Sequence, residues 1–140
     1  MAPVVYNLFR KGALAGSCLF LKAYMIVQYP QTYPPVTDAL LREIVARICA
    51  VGDPIKIILF GSRARGDARS DSDIDLLIIE ESRLPRYRRS ARYLSALIGL
   101  FPAKDVVVWT PDEVAQWANV PHAFITTALR EGRVLYERCP

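Results

Sequence analysis

Three aspartates and a Gly-Ser pair are the residues of this chain whose types and spacing can do chemistry. The stretch "LFGSRARGDARSDSDIDLLIIE" occupies positions 59–80 and sets Asp73 and Asp75 at the entrance of an apolar run. Side chains alternate along a strand, so residues two apart share a face. Asp73 and Asp75 are therefore expected to point the same way, with Cα atoms roughly 6–7 Å apart, while Ile74 and Leu76 turn into the core. Two carboxylates this close repel each other, and either their pKa values rise or a cation neutralises them. Magnesium suits the second solution, because it takes carboxylate oxygens and keeps positions open for water and phosphate. Asp105 opens "KDVVVW" and supplies a third carboxylate if its strand neighbours theirs. Three carboxylates can hold two ions about 3.5–4 Å apart, which steadies the attacking and leaving oxygens of a phosphoryl transfer.

Gly61 and Ser62 complete this logic. Glycine lets a backbone approach a phosphate closely, and a helix that follows it presents free N–H groups. Ser62 adds a hydroxyl, and Arg63 and Arg65 stand in the same turn, where they can neutralise phosphate charge. Each piece alone is weak: a lone Asp-x-Asp is usually a solvated turn, and a single Asp at a strand start is usually structural. The combination is much more specific. Asp67 and Asp71 read as turn residues and not as ligands.

The elements that must position these groups are legible from residue 36 onward. Thr37 can cap a helix whose stripe is Leu40, Leu41, Ile44, Val45 and Ile48, and Gly52-Asp53-Pro54 ends it. Residues 55–60 and 74–79 are short, nearly continuous apolar runs and read as buried strands. A short arginine-bearing helix over 62–67 lies between them. Residues 86–101 read as one helix with Leu94, Leu97, Ile98 and Phe101 facing inward, and Pro102 stops it. Residues 104–109 are a third strand. Thr110 caps a helix opened by Pro111-Asp112-Glu113, a further helix spans 122–131 with Gly132 as its C-cap, and 133–136 form a small last strand. The expected architecture is α/β, strands with covering helices in a compact layer.

Composition sets bounds on function. At 140 residues the chain is long enough for one domain with a real core. The net charge of +4 comes from 14 arginines and 4 lysines against 14 acids, and this arginine bias suits phosphate or carboxylate partners. Cys18, Cys49 and Cys139 lack metal or redox spacing and read as reduced cytoplasmic thiols. His122 is the only histidine, which disfavours a histidine-rich zinc site and a Ser-His-Asp triad; a surface or capping role is expected for it. Arg83, Arg86, Arg88, Arg89 and Arg92 crowd into ten residues. They read first as a solvated face and second as a docking surface for an acidic partner. Tyr87, Tyr93, Trp109 and Trp117 read as packing residues before base-stacking ones.

Residues 1–35 stand apart. Positions 12–29 are apolar behind Arg10 and Lys11, as in a signal peptide, but Lys22 and Gln28 interrupt the run and it is short for a membrane span. An accessory N-terminal helix, or a non-native extension with the true start near Met25, is expected for 1–35, and residues 36–140 are expected to form the functional domain. No membrane association and no direct nucleic-acid binding are expected.

"GSRARGDARSDSDIDL" resembles the Gly-Ser-x10-Asp-x-Asp signature of the polymerase-β-like nucleotidyltransferases, with Arg63 through Ser72 as the ten intervening residues. The likeness is greatest to the minimal nucleotidyltransferases. It runs from Val36 to Glu137, including the ending "FITTALREGRVLYE". The resemblance implies the fold of that superfamily, a small mixed β-sheet flanked by helices. It makes Gly61 and Ser62 triphosphate contacts, Asp73 and Asp75 magnesium ligands, and Asp105 the third carboxylate, which ligates metal and helps activate the incoming hydroxyl. The implied reaction is attack of a hydroxyl on the α-phosphorus of a nucleoside triphosphate such as ATP, with release of pyrophosphate. Many small members resemble antitoxins paired with HEPN-type ribonuclease toxins, and some transfer AMP to a toxin tyrosine. A magnesium-dependent adenylyltransferase acting on a HEPN toxin in a hetero-oligomer is therefore expected. Transfer to a small molecule such as an antibiotic, and an antitoxin acting by binding alone, are the alternatives.

Overall fold

In the computed structural model of the chain, residues 34–139 are described. The expected accessory segment at 1–35, apart from its last two residues, and Cys18 lie outside them. Helix α1 (Asp38–Val51) starts where Thr37 accepts a hydrogen bond from the Leu40 N–H at 3.2 Å, and it buries Leu41, Ile44 and Ile48. The elements that follow are β1 (Lys56–Phe60), α2 (Ser62–Arg65), β2 (Ile74–Ile79), α3 (Arg86–Arg89) and α4 (Ala91–Ala96). Then come β3 (Lys104–Trp109), α5 (Pro111–Trp117), α6 (Phe124–Glu131) and β4 (Arg133–Glu137).

The four strands form one mixed sheet in the order β3-β2-β1-β4. Strand β1 runs antiparallel to β2 and β4, whereas β2 and β3 are parallel. The continuous apolar runs follow from burial on both faces. One face carries Ile57, Leu59, Ile74, Leu76, Ile78, Val106 and Val108 against α1 and α4; the other packs Ile58, Leu77, Ile79 and Trp109 on Ile125 and Ala128 of α6. Helix α5 begins with a full capping box, in which Thr110 accepts from the Glu113 N–H and Glu113 accepts from the Thr110 N–H. Gly132 ends α6 as expected. Among the described residues no helix is long and apolar enough to cross a membrane.

The stretch at 86–101 departs from the expected single helix. It forms two short pieces that meet at Ser90, and its buried hydrophobic residues within those pieces and just after them are Tyr93 and Leu97. Leu94, Ile98 and Phe101, expected inside, are 41%, 75% and 65% exposed. The reason lies in a polar group that periodicity does not see. Glu80 is almost fully buried, and it accepts from the Tyr93 hydroxyl at 2.6 Å, from the Asp53 N–H at 2.8 Å and from the Arg92 guanidinium. A buried carboxylate needs these partners, and supplying them draws Tyr93 rather than Leu94 inward. Burial first, and then the Glu80 contact, holds the Tyr93 phenol above its usual range, so it stays a neutral donor. Gly52 fits under this ring: a Cβ there would lie 2.1 Å from the Tyr93 hydroxyl oxygen. Since Tyr93 has no room to retreat, Gly52→Ala is expected to cost about 1–3 kcal/mol in denaturant unfolding.

One member of the arginine cluster is spent inside the molecule, and a second reaches back to the same acid. Arg89 is buried, donating to the Leu84 carbonyl at 2.7 Å and to Glu113 at 2.6 Å. Arg86 pairs with Glu113 and lies 4.0 Å from the Trp109 ring centroid. Arg86 and Arg89 tie α3 to α5, while Arg83, Arg86, Arg88 and Arg92 remain exposed, as a solvated face requires. Burial pushes the Glu113 carboxyl up, but the Arg89 hydrogen bond, the Thr110 N–H and the nearby Arg86 and Arg89 charges outweigh it and bring it down to about 2. An acid whose pKa falls on folding stabilises the fold above its unfolded value and loses that contribution as pH drops through the folded one. Stability worth about 2 kcal/mol, after allowance for partial exposure, is expected to disappear between roughly pH 4.5 and pH 2. Melts across this range check it: Glu113→Gln should flatten that part of the profile.

Candidate active site

Strand register settles whether Asp105 reaches the other aspartates. In the parallel pair of β2 and β3, Asp75 is the direct partner of Asp105, and Ile74 the partner of Lys104. Neighbouring strands lie about 4.8 Å apart, so the two carboxylates leave adjacent backbones on one face. That face is the one that carries Leu77, Ile79 and Trp109 further along. Asp73 stands just before β2, two residues upstream on the same side. Asp73 and Asp105 are exposed and Asp75 is half-buried. Burial first, then the negative charges of Asp105 and Asp73, raises the Asp75 carboxyl above the usual range; Arg63 and Arg65 pull the other way. Five of the seven residues singled out from the sequence therefore share one electrostatic neighbourhood.

Among the described residues no three His, Cys, Asp or Glu side chains form a ready-made metal cage. The aspartates adjoin without closing around a common point, as bare like charges do. Their chemistry nonetheless fits a hard divalent ion: all the donors are carboxylate oxygens, two of them are exposed, and the third is half-buried beside the negative charges of the other two. Magnesium is commonly held by one or two carboxylates with substrate phosphates and waters completing its shell, so a closed protein cage is not required.

The Gly-Ser turn is fitted to this cluster. Phe60, the last residue of β1, is the antiparallel partner of Asp75, so the next residue, Gly61, passes directly over the carboxylate. Gly61 adopts φ 71° and ψ −155°, and a Cβ there would lie 2.2 Å from an Asp75 carboxylate oxygen. Only glycine holds such a backbone without strain. Helix α2 is a single turn with no side chain capping it, shorter than the expected 62–67; Gly66 ends it in the left-handed region. Ser62 is half-buried at its first position. Arg63 turns back on the loop that delivers the aspartates: its Nε donates to the Ser72 and Asp73 carbonyls at 3.0 and 3.1 Å. Arg65 lies beside Asp67 at 3.4 Å. Arg63 thus holds the loop that ends at Asp73 while its charge faces the carboxylates.

Other residues weighed from the sequence lie elsewhere. His122 is exposed in the turn before α6, with φ 61°, and it does not cap that helix. Tyr87 is exposed, Tyr93 belongs to the core, Trp109 is buried and Trp117 is 47% exposed. Two aromatic residues that the sequence reading passed over stand near this face: Phe60 is the strand partner of Asp75, and Phe124 packs against Phe60. Phe60 was legible only as the last residue of a strand, and Phe124 only as part of a helix.

A mixed sheet that brings carboxylates from two parallel strands beneath a Gly-Ser turn has donors suited to phosphoryl chemistry. The chain belongs to the nucleotidyltransferase domain family, whose model matches residues 41–133. A protein of Sulfolobus solfataricus assigned as a nucleotidyltransferase has a similar fold, with a TM-score of 0.53, 21% identity, and coverage of 72% of this chain and 80% of that one. So does a chain of a toxin-antitoxin solved with AMP-PNP, with a TM-score of 0.52, 18% identity and coverage of 70% and 73%. No curated protein matches the sequence at a comparable level.

Proposed function

We propose that the chain is a magnesium-dependent adenylyltransferase that moves AMP from ATP to a tyrosine hydroxyl of a partner HEPN ribonuclease toxin and so neutralises it. The observation that carries this reading is the pairing of Asp75 with Asp105 in parallel register beneath Gly61. Asp73, Asp75 and Asp105 are the residues that would hold the divalent ion. When bound, the ion would polarise the α-phosphoryl oxygen and offset charge on the departing pyrophosphate.

The chain's own groups divide the remaining work. Gly61 and Ser62 bring backbone and a hydroxyl to the triphosphate, with no side chain in the way. Asp105, exposed at the second position of the edge strand β3, would accept the proton of an incoming hydroxyl. Arg63 keeps the loop that ends at Asp73 in place and, with Arg65, lessens the repulsion at Asp75. In the balanced reaction the acceptor oxygen bonds to the α-phosphorus, the bond from that phosphorus to the pyrophosphate oxygen breaks, and the hydroxyl proton leaves through Asp105.

A protein acceptor is favoured because, among the described residues, no second lobe covers the carboxylate edge to hold a small acceptor. The likeness to a toxin-antitoxin chain points in the same direction. The test is to incubate the full chain with ATP, magnesium and the protein encoded beside it, then weigh that neighbour intact. One or more added AMP groups on tyrosine are expected. An unmodified neighbour that is nonetheless silenced would favour inhibition by binding alone.

A further inference from the structure

The face of the sheet that carries Asp75 and Asp105 also carries a short row of aromatic rings. Phe60, the strand partner of Asp75, meets Phe124 edge to face with ring centroids 5.1 Å apart. Phe124 in turn stacks on Trp109 with centroids 6.3 Å apart and planes 29° apart. Trp109 is 8% exposed, whereas Phe124 keeps 43% of its surface exposed. Helix α6 does not need Phe124 to dock, because Ile125 and Ala128 are fully or almost fully buried beneath it. Nor does that exposure come from a fraying helix end. The Thr126 hydroxyl lies 2.8–3.1 Å from the carbonyls of Trp117, Ala118 and Val120, which ties the start of α6 to the end of α5.

We infer that Phe124 is the stacking platform for the nucleobase of the bound triphosphate, buttressed by Phe60 and Trp109. The inference rests on the nucleotide-binding reading above and adds a residue that recognises the base. A partly exposed aromatic ring, held against the strand partner of Asp75, suits a flat heterocycle whose phosphates lie at Gly61 and Ser62. Base–aromatic stacking is sequence-tolerant and substantial, so such a platform fixes the base without a dedicated hydrogen-bonding pocket.

Calorimetric titration of the full chain with ATP and with inorganic tripolyphosphate, both in magnesium, separates the possibilities. Phe124→Ala is expected to weaken ATP binding about tenfold and to leave tripolyphosphate binding within about twofold, since the phosphates are held elsewhere. Phe124→Tyr keeps the ring and is expected to bind both ligands as the wild type does. Unchanged ATP affinity in Phe124→Ala would overturn the inference. So would an equal loss for both ligands, which would make Phe124 a packing prop. A wild-type chain that bound neither ligand would overturn the nucleotide reading together with this one.

Discussion

Asp75→Asn is expected to abolish AMP transfer to the partner, by about 10³-fold or more, while the fold stays at least as stable as the wild type. On the proposed function the loss follows from removing one oxygen donor and one negative charge from the residues that would hold a divalent ion against a triphosphate, an effect worth several kcal/mol in the transition state. The retained stability follows from the electrostatics of the free chain. Burial and the neighbouring Asp105 and Asp73 raise the Asp75 carboxyl. An acid with a raised folded-state pKa is ionised at a cost at neutral pH, and a neutral amide removes that cost. Transfer assays paired with thermal melts read both halves. Activity that survives the change would remove Asp75 from the chemistry. A large fall in melting temperature with the loss would make the residue structural.

Gly61→Ala is expected to damage stability and transfer together. The new Cβ would fall 2.2 Å from the Asp75 carboxylate at a backbone conformation of φ 71° and ψ −155°. Both penalties act at once: the strained backbone costs about 1–3 kcal/mol, and the clash forces the turn or the carboxylate to move. Displacements of about 1 Å at a reacting centre cost on the order of 10²-fold in rate. A stability loss of about 2–3 kcal/mol, with a transfer rate reduced by at least about 10²-fold, is the expected outcome. Denaturant unfolding and the same transfer assay measure the two effects. Wild-type activity in this variant would mean that the turn does not lie over the working carboxylate.

The juxtaposition of the candidate residues was legible in large part from the sequence. Strand alternation alone put Asp73 and Asp75 on one side, and the Asp-led run at 104–109 became their neighbour with Asp75 and Asp105 in direct register. Local signals with a local cause also carried through: the Thr37 and Thr110 caps and the Gly132 stop lie where the sequence placed them. What was not legible depended on partners distant in the chain. Periodicity over 86–101 favoured Leu94 as a core residue, but the buried Glu80 draws Tyr93 inward instead and takes a hydrogen bond from Arg92 at the surface. Arg86 and Arg89 looked like free charge because Glu113, which engages both, lies more than 20 residues away. Arg63 was read only as a phosphate contact, and its grip on the Ser72 and Asp73 carbonyls needs the folded loop to be visible. Phe60 and Phe124 form their pair across 64 residues, a separation over which sequence spacing carries no signal.

The most direct measurement of the central claim is anomalous scattering from a crystal of the full chain grown with manganese and a non-hydrolysable ATP analogue. The predicted result is a metal peak about 2.1 Å from carboxylate oxygens, those of Asp73 and Asp75 with Asp105 beside them, and density for the triphosphate against Gly61 and Ser62. Triphosphate density elsewhere, or a metal bound away from these aspartates, would contradict it.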